Sequence, residues 1–114
     1  MPLFNALKTR KMPRIKKKPT LSFADLKNEI AERSALSSGD VLACLEELEK
    51  IIAHKLQEGT DVEISFGKFA VSVKLNGEKK VSFRPKKSFE QAVSEGFHGE
   101  IINARNIGKD FNSL

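Results

Sequence analysis

The sequence predicts an α+β fold: a helical hairpin, then a three-stranded antiparallel sheet, then a short closing helix. Three observations predict it. The apolar period is 3.6 residues up to Leu56 and becomes 2 from Val62 onward. Two serines, Ser22 and Ser37, each stand three residues ahead of an aspartate at the start of a helical pattern. Asn76-Gly77 separates two alternating segments, as in a tight β-hairpin.

The first 19 residues contain Pro2, Pro13 and Pro19. Proline removes a backbone donor and fixes φ, so no long helix is expected there. The segment reads as an extended basic arm with a short strand around Leu3 to Lys8. Ser22 then begins a helix over 23–34 in which Phe23, Leu26 and Ile30 share a face. Ser37 begins a longer one, with Val41, Leu45, Leu48, Ile52 and Leu56 along one stripe. Gly59 supplies the stop, because it accepts the left-handed conformation common just past a helix end.

Residues 58–69 carry the chain from that glycine into a strand that bends at Phe66-Gly67. Val62, Ile64 and Phe66 alternate with Glu63 and Ser65. Phe69, Val71, Val73 and Leu75 alternate with Lys68, Ala70, Ser72 and Lys74, so each strand has one apolar and one wet face. Asn76-Gly77 predicts a type I′ turn, with Lys79 and Lys80 at the turn and Val81 and Phe83 inward on the returning strand. Pro85 ends that strand, and Ser88 is placed to cap a last helix bearing Phe89 and Val93 before Gly96. The sequence thus divides into a basic arm (1–19), a core domain (20–95) and a tail (96–114). Phe97, Ile101, Ile102, Ile107 and Phe111 make the tail apolar enough to pack against the body or a partner subunit.

The 114 residues allow one domain. No apolar run approaches membrane-spanning length and no secretory leader pattern opens the chain, so the expected location is the cytoplasm. The single cysteine, Cys44, excludes an internal disulfide framework and is expected to be a small buried hydrophobe. A core of this size buries only about 60% of its unfolded surface. Leu42 and Ile51 also lie off the main stripe of the long helix, and dimerisation is the economical way to cover them.

The net charge of +5 is unevenly distributed. Residues 1–19 carry +7 through Lys8, Arg10, Lys11, Arg14, Lys16, Lys17 and Lys18. Residues 20–67 carry −6, residues 68–87 carry +6 and residues 88–114 carry −2. Two separated basic blocks favour a polyanionic partner. The acidic run Glu46, Glu47 and Glu49 reads as the solvated face of the long helix. With no Tyr or Trp, the chain lacks a stacking platform for single-stranded bases, which favours a duplex. Neither His54 nor His98 has an acidic or cysteine partner at a recognised spacing, and no phosphate-binding glycine loop is present. No enzyme activity, cofactor or metal is expected.

Four segments give the chain a family resemblance. They are Ala24-Asp25-Leu26 through Ile30-Ala31-Glu32; Leu36-Ser37 through the long helix to Glu58-Gly59; Phe66-Gly67-Lys68-Phe69; and Phe83-Arg84-Pro85-Lys86-Lys87-Ser88-Phe89. In that order they resemble the bacterial histone-like DNA-bending family of HU and integration host factor, and the added leader and tail resemble its short-armed members in Bacteroidetes. Ser65 stands where the family's strand bend has a first glycine, and Lys86 where its approach to the last helix has glycine. The resemblance implies an HU-like intertwined homodimer whose β saddle rests on the DNA minor groove. Family members insert a proline at the tip of a long β arm between base pairs. Only five residues separate Leu75 from Val81 here, none of them proline, so the arm is truncated and little or no wedge-driven kinking is implied.

The expected function is non-specific architectural binding of double-stranded DNA in the nucleoid, through phosphate contacts. The expected contacts are Lys68, Lys74, Lys79, Lys80, Arg84, Lys86 and Lys87 on the saddle, with Arg10, Lys11, Arg14, Lys16, Lys17 and Lys18 in the leader. Lys87 matches the family's lysine at the last helix. The alternative is a dimeric scaffold or protein-interaction module with an HU-like fold that has lost DNA bending.

Overall fold

The computed structural model describes residues 7–114. In chain order its elements are β1 (Arg14–Ile15), α1 (Phe23–Ser34), α2 (Ser38–Gln57), β2 (Val62–Ile64), β3 (Gly67–Val73), β4 (Lys79–Pro85), α3 (Lys87–Gly96) and β5 (Ile101–Ile102). They form two compact units: Leu21–Gly96, and the leader through Thr20 together with Phe97–Leu114.

In the first of these, both expected helix caps are made. Ser22 Oγ accepts from the Asp25 N–H and Ser37 Oγ from the Asp40 N–H, each at 3.1 Å. Each bond satisfies one of the orphan amides of a first turn. The two helices are joined through Ala35, which adopts the left-handed conformation at φ 59°. Gly59, at φ 84°, ends α2 as its sequence position predicts.

The sheet is antiparallel with order β2-β3-β4. The bend expected at Phe66-Gly67 is a tight hairpin: Ile64 pairs with Gly67 across the two residues Ser65 and Phe66. Phe66 is therefore in a turn rather than on the apolar face of a strand. Its ring instead meets Phe89 at 5.4 Å and Phe83 at 6.0 Å, and Phe83 in turn meets Phe69 at 4.9 Å. The Phe66 carbonyl accepts from the Lys86 N–H at 2.9 Å, tying the start of α3 to this turn.

The β3–β4 hairpin also differs from expectation. The Gly77 N–H bonds to the Lys74 carbonyl at 2.9 Å and the Lys74 N–H to the Glu78 carbonyl at 2.8 Å. Only Gly77 has positive φ (89°), so the loop is Leu75-Asn76-Gly77, closed by one left-handed glycine, and not a type I′ turn. Asn76 reaches the same end by its side chain, whose Oδ1 accepts from the Glu78 N–H at 3.0 Å. Leu75 stands fully exposed at the tip instead of continuing the apolar row. Ser88 does not cap the last helix. α3 starts at Lys87, and the Lys86 carbonyl accepts from both Phe89 and Glu90.

Val41 and Leu56 are the only buried apolar residues among those described. Cys44 is exposed, contrary to the expectation of burial.

No local pattern announces the second unit. The expected strand at Leu3 to Lys8 lies mostly outside the described residues, and residues 7–9 are helical. Beyond them β1 pairs antiparallel with β5, Arg14 opposite Ile102 and Ile15 opposite Ile101. The Lys16 N–H extends the ladder to the Glu100 carbonyl at 2.9 Å. Tail and leader thus complete each other's hydrogen bonding.

Candidate nucleic-acid interface

Strand register sorts the basic residues of the sheet by face. Lys68 lies opposite Arg84, Ala70 opposite Ser82 and Ser72 opposite Lys80, so these six share one side. Lys74 follows β3 at the end of the same row. The small side chains in the middle rungs leave the cations standing clear at both ends.

Intramolecular pairing divides these cations further. Lys68 lies 3.9 Å from Asp61, Lys74 3.6 Å from Glu78 and Lys86 3.4 Å from Glu63. All are solvent-exposed pairs of the kind worth at most about 1 kcal/mol, so a phosphate can replace the carboxylate at little cost. No ion pair or hydrogen bond among the described residues engages the side chains of Lys80, Arg84 or Lys87.

Lys79 is set apart. It pairs with Val73, on the apolar side, and its Nζ donates to the Gly77 carbonyl at 2.7 Å. The period of 2 explains the separation: adjacent lysines in a strand cannot share a face.

The opposite side of the sheet faces α2 across an open groove of about 1170 Å³, lined by Leu45, Leu48, Ile52, Phe69, Val71 and Val81 among others. Glu46 and Glu49 stand along it and are solvent-exposed, as expected of the acidic run. Glu47 pairs instead with Lys50 at 3.5 Å.

In the leader, Arg10, Lys11, Arg14, Lys16, Lys17 and Lys18 are all exposed. Arg14 Nη1 donates to the Arg10 carbonyl at 3.1 Å, and Lys16 Nζ lies 3.5 Å from Glu100. Two asparagines that sequence reasoning passed over hold this segment. Asn103 Nδ2 donates to the carbonyls of Arg10 (2.7 Å) and Met12 (3.2 Å), and Asn106 Nδ2 to that of Lys11 (2.6 Å). Asn103 occupies the left-handed region at φ 61°, and Asn106 is buried. Asparagine is among the few non-glycine residues that tolerate this backbone, the one signal the sequence offered.

Among the described residues no cluster of three or more His, Cys, Asp or Glu side chains could hold a metal ion. His54 serves a helix end, its Nε2 3.0 Å from Glu58 Oε1. Among the described residues no helix is long and apolar enough to cross a membrane.

A helical hairpin followed by a three-stranded sheet and a short helix, with cations on one side and an apolar groove on the other, defines the HU-like class of α+β domain. The chain belongs to the family described as an HU domain fused to wHTH, Ig, or Glycine-rich motif, whose model matches residues 5–98. Among solved structures it is similar to a single-site mutant of HU from Thermotoga maritima, at 25% identity and a TM-score of 0.56. That similarity covers 97% of the Thermotoga chain but 63% of this one, so more than a third of the present chain has no counterpart there. No curated protein matches the chain.

Proposed function

We propose that the chain is a non-specific architectural protein of the bacterial nucleoid that binds double-stranded DNA as a homodimer. The observation that carries this reading is the register of β3 and β4, which gathers Lys68, Lys80 and Arg84 on the side away from the apolar groove. Lys74, Lys86 and Lys87 flank that row, and the leader residues Arg10, Lys11, Arg14, Lys16, Lys17 and Lys18 form a second basic block. Such cations neutralise phosphates and release counterions, which gives affinity without reading bases. Lys79 contributes least, since it belongs to the other side of the sheet.

The short hairpin supports weak kinking. β3 and β4 are seven residues each and their loop has three, so no extended arm reaches around a duplex. The test is a salt-titrated duplex-binding comparison of the wild type with the triple variant Lys80→Glu, Arg84→Glu, Lys87→Glu. The wild type should bind more weakly as salt rises, and the variant should lose at least about tenfold at low salt. Full affinity in the variant would remove the saddle from the interface.

One observation favours the second reading, a dimeric scaffold with an HU-like fold. Leu21–Gly96 holds thirteen acidic against eleven basic residues, so the HU-like unit alone is not cationic. A stable dimer without duplex binding at low salt would support that reading instead.

A further inference from the structure

The charge of this molecule is concentrated outside its HU-like unit. The unit formed by residues 1–20 and 97–114 carries nine basic side chains and only two acidic ones, Glu100 and Asp110. Its net charge is +7, while Leu21–Gly96 carries −2. The seven leader cations are joined there by Arg105 and Lys109 from the tail. Lys109 is exposed.

This basic segment is also held in place. Three consecutive leader carbonyls, Arg10, Lys11 and Met12, accept from the side-chain amides of Asn103 and Asn106. Immediately afterwards Arg14 and Ile15 pair with Ile102 and Ile101, and the Lys16 N–H bonds to Glu100. Asn106 is buried while making its bond, so losing it would leave a polar group unsatisfied. A disordered basic tail has to be ordered when it binds, and fixing its backbone costs conformational entropy that weakens binding. Here the backbone of residues 10–16 is ordered beforehand by the protein's own tail.

We propose that the leader and tail together form a second, preformed binding site for the phosphate backbone of duplex DNA. In it Arg10, Lys11, Arg14, Lys16, Arg105 and Lys109 contact phosphates, while Asn103 and Asn106 are positioning residues that fix the leader's backbone. The proposal rests on the reading of the protein as a DNA binder and adds to it that most of the attraction comes from outside the saddle. Lys17 and Lys18, beyond the last paired residue, add charge without fixed placement.

The experiment uses the full chain and a short mixed-sequence duplex, with affinity measured across a range of salt. In one variant Arg14, Lys16, Lys17 and Lys18 are changed to Gln, which removes four charges and leaves the backbone ladder intact. Its plot of log affinity against log salt should flatten by about 0.9 for each phosphate that is no longer neutralised. The second variant, Asn103→Gly with Asn106→Ala, keeps every charge and permits the left-handed backbone at 103. It should weaken binding by about threefold to tenfold and lose exchange protection of the backbone amide at position 16, which the four-charge variant should retain. Wild-type binding with an unchanged slope in the four-charge variant overturns this site and leaves the saddle reading intact. A flattened slope there, with undiminished affinity in the asparagine variant, overturns the preformed character and makes the leader a loose cationic tail. Failure of the wild type to bind duplex at low salt overturns the DNA-binding reading and this site with it.

Discussion

At Gly67 an added Cβ would overlap the Phe83 ring and lie 2.9 Å from the Arg84 carbonyl oxygen. The ring of Phe83 is itself held by Phe66 and Phe69, so it cannot swing aside without opening the aromatic cluster. The Arg84 oxygen is backbone and cannot move aside cheaply, so Gly67→Ala should cost about 1–3 kcal/mol, as overpacking does. Chemical denaturation would detect it, and a neutral result would mean that the aromatic cluster is loose. Ala35 is the reverse case. Its φ of 59° puts an L side chain in the left-handed region, which costs about 1–2 kcal/mol. Ala35→Gly removes that strain at the expense of a more flexible unfolded chain, and a net gain of up to about 1 kcal/mol is expected. A fall in stability would show that the Ala35 methyl makes contacts worth more than the strain.

The β3–β4 hairpin shows what an element can and cannot do here. Its tip presents Leu75, fully exposed between Lys74 and the loop glycine. Leucine is among the side chains able to wedge between base steps, but wedging needs reach as well as an apolar tip. With so short a hairpin, Leu75→Ser should leave the bend angle of a bound duplex unchanged in a fluorescence-transfer measurement. A loss of bending would make Leu75 a wedge and end the weak-kinking reading. Most of this element was legible in sequence, because Val71 and Val81 alternate with polar neighbours and Gly77 marks the reversal. The turn type was not, since Asn-Gly suits both the two-residue loop and the three-residue loop that formed. The helices were legible through Ser22, Ser37 and Gly59, whose capping roles depend only on local backbone. Exposure of Cys44 and the pairing of Arg14 with Ile102 were not legible. Both depend on which distant segments meet, and no local pattern encodes that. The division of the site cations into free and paired was likewise hidden, although the separation of Lys79 from Lys80 follows from strand alternation alone.

Across the whole molecule the outstanding demand is for cover over apolar surface. Val41 and Leu56 are buried, yet Leu48, Ile51, Val73 and Val81 remain exposed in the single chain, and Leu48, Val73 and Val81 line the groove between α2 and the sheet. If the proposed dimer fills that groove, the stability of each chain depends on its concentration, and the melting temperature should fall on dilution. Leu48→Glu makes the distinction sharper. Leu48 is 45% exposed in the isolated chain, and a surface substitution of that kind should change monomer stability by less than about 0.5 kcal/mol. Buried in a dimer, the same carboxylate would be desolvated among Leu and Val side chains, which disfavours association by about 3 kcal/mol. Sedimentation should then show the wild type as a dimer and Leu48→Glu as a monomer, with a lower melting temperature that no longer responds to dilution. A variant that remains dimeric and as stable as the wild type would place the subunit contact elsewhere and leave the groove open to another occupant.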